Sequence, residues 1–152
     1  MSSRLFQKIR EEQGKAYSIY SYTSSYKKSG AIGVYAGTTA TQGEEVLEMM
    51  LEEMRKITKE GVLKDEFLRS KEQLKGNYVL GSESTGSRMN AIGKSMLLFN
   101  RVLTEEDVFK RIEAVTHDDI QLLARSVFDM RNMSGAFVGR TTKTKNDWLG
   151  MW

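Results

Sequence analysis

A chain of 152 residues, 39% apolar and 28% charged, has the size and balance of one soluble globular domain or of a piece of a larger multidomain protein. With no cysteine it has neither disulfides nor a thiolate, and its single histidine, His117, leaves it short of both zinc ligands and the commonest acid–base group. The net charge of +3 comes from 23 basic and 20 acidic residues scattered along the chain, a mixed solvated surface rather than a nucleic-acid footprint.

No apolar run reaches the roughly 20 residues of a membrane helix, and the amino end has no basic-then-apolar signal pattern. The expectation is a cytoplasmic protein. The absence of proline agrees with helices and strands joined by glycine and serine turns.

The chain is organised around residues 2–26. Ser2 or Ser3 can cap a helix with Leu5, Phe6 and Ile9 on one face, and Gly14 supplies the left-handed residue that ends it. From Ala16 the period becomes two: Ser18, Tyr20, Tyr22 and Ser24 point one way, Tyr17, Ile19, Ser21 and Thr23 the other. Lys27 to Gly30 predicts a hairpin turn into a second strand. There Ile32, Val34 and Ala36 share one face, and Gly33 on the other lets something pack close.

Thr41 with Glu44 predicts a capping box, followed by a helical stripe of Val46, Leu47, Met50, Leu51, Met54 and Ile57 up to Gly61. Asp65 and Glu66 favour the start of a helix carrying Phe67, Leu68, Leu74, Tyr78 and Val79, weakened by Gly76 and ended by Gly81. Residues 82–87 are a connection or a break. Met89, Ile92, Met96, Leu97 and Phe99 restore the helical period. Thr104 with Asp107 and Thr116 with Asp119 open two short capped helices. A last strand is predicted from about Met133 to Val138, and residues after Arg140 show no period. The pattern is an α+β chain: a small, mainly antiparallel sheet with helices layered on one face. So few strands cannot cover so many helices, which points to a sheet incomplete in this chain.

Several constellations have a plain structural account. His117 falls in the first turn of a capped helix among acids, which suits a surface or capping residue better than a ligand. Glu11 and Glu12, Glu52 and Glu53, and Asp118 and Asp119 are adjacent in sequence and so diverge on a helix rather than pair for catalysis. Met50, Met54, Met89 and Met96 lie on apolar stripes and read as core filling. Gly30, Gly33 and Gly37 belong to a hairpin, not to a phosphate cradle before a helix. Tyr20, Tyr22 and Tyr26 with Lys27 and Lys28 could stack on single-stranded nucleic acid, but aromatics packed under the helices are the simpler reading.

Arg10 and Tyr17 stand on either side of Gly14, so a guanidinium near a helix end and a phenol at a strand start can be brought to one place. Spacing alone favours an ordinary surface cation and an ordinary strand aromatic; the surrounding motif shifts the weight.

The run MSSRLFQKIREEQGKAYSIYSY with the later SGAIGVYAGT resembles the insulinase or pitrilysin family of zinc metallopeptidases, which includes mitochondrial processing peptidase and its bacterial relatives. The stretch EEVLEMMLEEMRKITKEGVLKDEFLRSKEQLKGNYVLGSESTGSRMNAIGKSMLLF and then IEAVTHDDIQLLARSVF continue the resemblance, which covers residues 1–139 and leaves 140–152 as a tail. What is similar is the non-zinc half: family members carry their metal on an HxxEH helix in a different half-domain, and that motif is absent here. The resemblance implies a processing-peptidase-like half-domain lacking its first strand and helix.

In the family an arginine and a tyrosine spaced as Arg10 and Tyr17 stand opposite the zinc, across a chamber between two halves or subunits. The resemblance implies that Arg10 binds peptide carbonyls and that Tyr17 donates a hydrogen bond to the oxygen that becomes negative as the scissile carbonyl turns tetrahedral. Lys15 stands where relatives commonly carry an apolar residue. The chain is therefore expected to be a substrate-binding, non-catalytic fragment of a zinc metalloendopeptidase, a hydrolase, and inactive alone. It holds no cofactor itself, its zinc being carried by a complementary half. The expected partners are a peptide substrate, the zinc-bearing half and further copies of itself, with no nucleic acid and no membrane. The alternatives are a scaffold subunit of the same fold that has abandoned proteolysis, and a basic nucleic-acid-binding module.

Overall fold

The computed structural model describes residues 3–140. A π-wound helix, Phe6–Glu12, leads into a hairpin of β1, Ser18–Ser25, and β2, Gly30–Gly37. Five α-helices follow: α1, Gly43–Glu60; α2, Lys64–Ser82; α3, Thr85–Phe99; α4, Glu105–Ala114; and α5, His117–Val127. A 3-10 turn, Met130–Asn132, comes last. The described residues form two compact units, one of residues up to Gly61 with those from Leu123 onward, the other Val62–Leu122.

In the first unit β1 and β2 pair antiparallel, from Ser18 opposite Gly37 to Ser25 opposite Gly30. The period-two pattern decides the faces as expected. Ile19 and its partner Ala36 turn towards Ile9, Ala16 and Val46, while Val34 packs on Leu47, Leu51 and Met54. The π-wound helix and α1 thus layer on one face of the hairpin. The α1 stripe is as its spacing predicts, with Val46, Leu47, Leu51 and Met54 buried.

Three local expectations are corrected. Thr41 does not cap α1: the turn Thr39–Gln42, closed by the Gln42 amide on the Thr39 carbonyl at 3.1 Å, uses it up one residue early. The helix starts after Gln42 with no side-chain cap, and Glu44 and Glu45 face its positive end instead. Residues 133–138 form no strand, since no ladder partner stands beside them among the described residues. Met133 instead anchors in the Leu47–Leu51–Met54 cluster and Val138 is fully exposed. The tyrosines of β1 are not under the helices. Tyr20 and Tyr22 occupy the opposite, open face, where a phenol keeps its hydroxyl in water.

The second unit is helical. Both predicted caps form there: the Asp107 amide donates to Thr104 Oγ1 and the Thr104 amide to Asp107 Oδ2, each at 3.1 Å, and Thr116 and Asp119 reciprocate in the same way. The break between α2 and α3 is brief, with Ser84 capping α3 by accepting from the Ser87 amide. Asn100 ends α3 in the left-handed conformation, and the buried Ser95 hydroxyl holds the next turn by donating to Arg101 O and accepting from Leu103 N. Met54 is buried and Met50 partly so, but Met89 and Met96 are exposed, so core filling accounts for only half of those four methionines. Met89, Ile92, Met96, Leu97 and Phe99, the periodic face of α3, are all exposed. The expected tail beyond Arg140 lies outside the described residues.

The contrast between the two apolar populations is measurable. Leu51→Ala should lower the unfolding free energy by about 2–5 kcal/mol in urea titrations, because a closed cluster cannot collapse onto the gap. Leu97→Ala, at a side chain 86% exposed, should change it by less than about 0.5 kcal/mol.

Candidate functional site

The segment carrying Arg10 and Tyr17 is bent at Gly14, whose φ of 61° is the left-handed conformation its sequence position predicts. The Gly14 amide donates to Arg10 O at 3.1 Å and the Lys15 amide reaches back to Ile9 O at 3.0 Å, closing the wide π turn. The strand side is equally pinned: Thr38 Oγ1 donates to Lys15 O at 2.5 Å and the Tyr17 amide to Gly37 O at 3.1 Å. Both side chains therefore leave a backbone fixed by hydrogen bonds at each end.

Ile9, next to Arg10, is completely buried, which turns Arg10 outward. Its guanidinium lies over the Phe6 ring, 4.9 Å from the centroid, and only approaches Glu11, at 4.0 Å. Tyr17 is 71% exposed, and its hydroxyl has no hydrogen-bond partner among the described residues. A Cβ on Gly37 would lie 3.7 Å from the Tyr17 ring and 3.4 Å from the Tyr35 hydroxyl, so Tyr17 borders the open face of the hairpin. No hydrogen bond or ring contact joins Arg10 to Tyr17 among the described residues, and both are exposed.

On that face Tyr20 stacks on Tyr35, its cross-strand partner, with centroids 5.1 Å apart. Tyr22 lies across Gly33, where a Cβ would come within 2.3 Å of the ring. The close approach expected at Gly33 is thus made by the tyrosine opposite. Tyr26 is exposed beside Lys27 and Lys28 at the hairpin tip.

Sequence reasoning missed the charged groups that hold this segment. Glu53 is only 5% exposed and accepts from Lys8 Nζ at 2.7 Å and Lys56 Nζ at 3.3 Å. Burial alone would push its carboxyl up, but the two ammonium groups outweigh this and hold it below its ordinary value of 4.5. Glu52 diverges to the surface, as adjacency predicts, and pairs with Lys56, whose pKa it raises. The available signal was an acid three residues after Met50 and seven after Val46, on the apolar stripe. Lys15 meets the Glu45 carboxylate, so the departure from an apolar residue is balanced by an acid of α1.

His117 keeps the surface role predicted for it. Its Nε2 lies 2.6 Å from Val62 O and its ring meets Phe67 edge-on. Among the described residues no group of three or more histidine or acidic side chains could hold a metal ion. The described residues do not fit zinc. The second unit has an apolar hollow of about 370 Å³, lined by Phe67, Leu74, Val108, Ile112 and Val115 with Lys71 and Arg111. Lys71 is occupied there, donating to the Glu113 and Val115 carbonyls at 2.8 and 3.0 Å.

Residues 1–74 match the profile described as the Peptidase M16 inactive domain. Over 131 residues the chain is 45% identical to a protein of Streptomyces coelicolor called an uncharacterized zinc protease, covering 86% of this chain and 28% of that one. The chain belongs to the M16 peptidase family, the insulinase and pitrilysin group. Another M16 relative is the uncharacterized zinc protease YmxG of Bacillus subtilis, 41% identical over 128 residues, 84% of this chain and 31% of YmxG. The chain spans less than a third of the length of these two relatives.

The fold is also that of a chain in Complex III2 from Candida albicans with Inz-5 bound, at a TM-score of 0.73 and 20% identity, over 83% of this chain and 30% of that one. The periplasmic protease PqqL from Escherichia coli is similar at a TM-score of 0.61 and 17% identity, over 80% of this chain and 14% of PqqL. At such identities the likeness concerns the fold alone. The M16 part matched, residues 1–74, is the one described as the inactive domain.

The electrostatics of Glu53 make a sign-definite prediction. Its folded pKa is lowered, so its contribution to stability is present above about pH 4.5 and is lost as the pH falls through the folded value. Urea midpoints measured from pH 7 to pH 3 should show wild type and Glu53→Gln converging as the pH drops below 4.5.

Proposed function

We propose that this chain is the substrate-binding, non-catalytic portion of a zinc metalloendopeptidase that cleaves peptides or processes unfolded polypeptides, its metal supplied by a complementary half or subunit. The observation that carries this reading is the state of Arg10 and Tyr17. They flank a rigid left-handed bend, both face water, and neither is consumed by the ion pairs and hydrogen bonds that hold the fold. A guanidinium held only by a ring and a 4.0 Å approach to Glu11, and a phenol without a hydrogen-bond partner among the described residues, have donors to offer something else.

In this role the Arg10 guanidinium binds backbone carbonyls of the polypeptide, and its planar fork of N–H groups suits oxygen acceptors. The Tyr17 hydroxyl donates to the carbonyl oxygen of the bond being cleaved. That donation strengthens as the oxygen gains negative charge, and because the phenol is already in place no reorganisation is needed when the charge develops. The hydrolytic step itself belongs to the complementary half. The names of the M16 relatives, zinc proteases, support assigning the metal there. A cytoplasmic location and self-association belong to the same reading, the latter supported by apolar side chains such as Met89 and Leu97 left open to water.

The test uses the complete protein with its zinc half. Tyr17→Phe should lower kcat by about 10²–10³-fold while folding normally, as expected on removing one preplaced donor. Arg10→Ala should raise KM and lower kcat/KM. Unchanged turnover in both variants would remove the reading, as would zinc-dependent cleavage of an unstructured peptide by the present chain alone.

A further inference from the structure

The segment that carries Arg10 and Tyr17 is tied to α1 at three levels, in opposite order along the two. Arg4 Nη2 donates to Gly61 O at 3.3 Å, where α1 ends. Lys8 pairs with Glu53 at 2.7 Å, and Lys15 meets Glu45 in the first turn of α1. From Gly61 back to Glu45 is roughly 24 Å of helix at 1.5 Å per residue. The segment is thus laid antiparallel along α1, with Arg10 between the second and third ties and Ile9 sealed in the core beside it.

Apolar contact alone would not secure that register, because burial is non-directional and tolerates a slip. A charged hydrogen bond of 2.7 Å to a nearly buried carboxylate is satisfied in one register only. Buried ion pairs add little net stability against an apolar replacement, and their best-attested use is to specify register. The π winding between the ties adds weight, since π turns are rare and are frequent at functional sites. Lys56 and Glu52 are the other charged groups at Glu53, and Lys56 bridges the two carboxylates.

We propose that Glu45 and Glu53 are positioning residues: acting through Lys15 and Lys8, they hold the π-wound segment in register along α1 and so fix where the Arg10 guanidinium stands relative to the Tyr17 phenol. This rests on the role proposed above for Arg10 and Tyr17.

The experiment compares wild type, Glu53→Gln, Glu45→Gln and the double variant Lys8→Met/Glu53→Met in the complete zinc-bearing protein. It measures kcat and KM for peptide hydrolysis, the thermal midpoint, and hydrogen exchange at the amides of residues 9–17. Glu53→Gln should lower kcat by about ten- to a hundredfold, the scale of a small misplacement of a catalytic group, with little change in KM and faster exchange in 9–17. Glu45→Gln should do the same more weakly, since Glu45 is more exposed. The apolar double variant decides between positioning and mere stability: it should keep or raise the thermal midpoint and still have the lowered kcat. Wild-type kcat in the double variant or in Glu53→Gln, with Arg10→Ala and Tyr17→Phe impaired, overturns the positioning role and leaves the reading of the pair intact. If Arg10→Ala and Tyr17→Phe are themselves silent, the reading of the pair falls and the positioning role falls with it.

Discussion

One apolar stripe of α1 closes the first unit, and the position of the candidate site follows from it. Val46 and Leu51 are almost without exposure, and Ile9 of the π-wound helix and Ile19 of β1 are buried in the same unit. Val46 of α1 packs in one cluster with Ile9 and Ile19, so α1 covers the apolar faces of the π-wound helix and the hairpin together. Because Ile9 is the residue drawn in, its neighbour Arg10 must point out. Because Ile19 is drawn in, the tyrosines at even positions of β1 must stand on the far face.

Charge then refines what burial has arranged. The cations at Arg4, Lys8 and Lys15 each find an acceptor along α1, two of them carboxylates. Arg10, set among them, is left with a ring contact and a 4.0 Å approach to a neighbouring acid. The distinction between cations used by the fold and the cation left over is made by geometry rather than residue type. It sets Arg10 apart from the cations that the fold uses.

The second unit is built differently. Its helices α4 and α5 start with reciprocal caps at Thr104 and Thr116, and Lys71 of α2 satisfies two carbonyls at the carboxy end of α4, those of Glu113 and Val115. Its apolar side chains are less fully enclosed, and Leu97, Met89 and Leu80 face water. Polar ends well satisfied and apolar sides left open describe helices whose boundaries are locally encoded and whose burial is not completed within this unit.

The sequence by itself determined what is local. The Gly14 bend, the two capped helices, the α1 stripe, the alternation along β1 and β2 and the surface role of His117 depend on residues within a few positions of one another, and each is found as read, whereas which face of the hairpin the helices cover is not. The tertiary structure alone decided what depends on partners far along the chain. Residues 133–138 have strand-like chemistry but no ladder to join, Thr41 lost its cap to a turn before it, and Met89 and Met96 have helical spacing without a core to fill. Glu53 looked like one of two surface acids until Lys8, 45 residues away, was placed against it. Periodicity states which side of an element is apolar, but only assembly decides what meets that side and which charges are left free to bind.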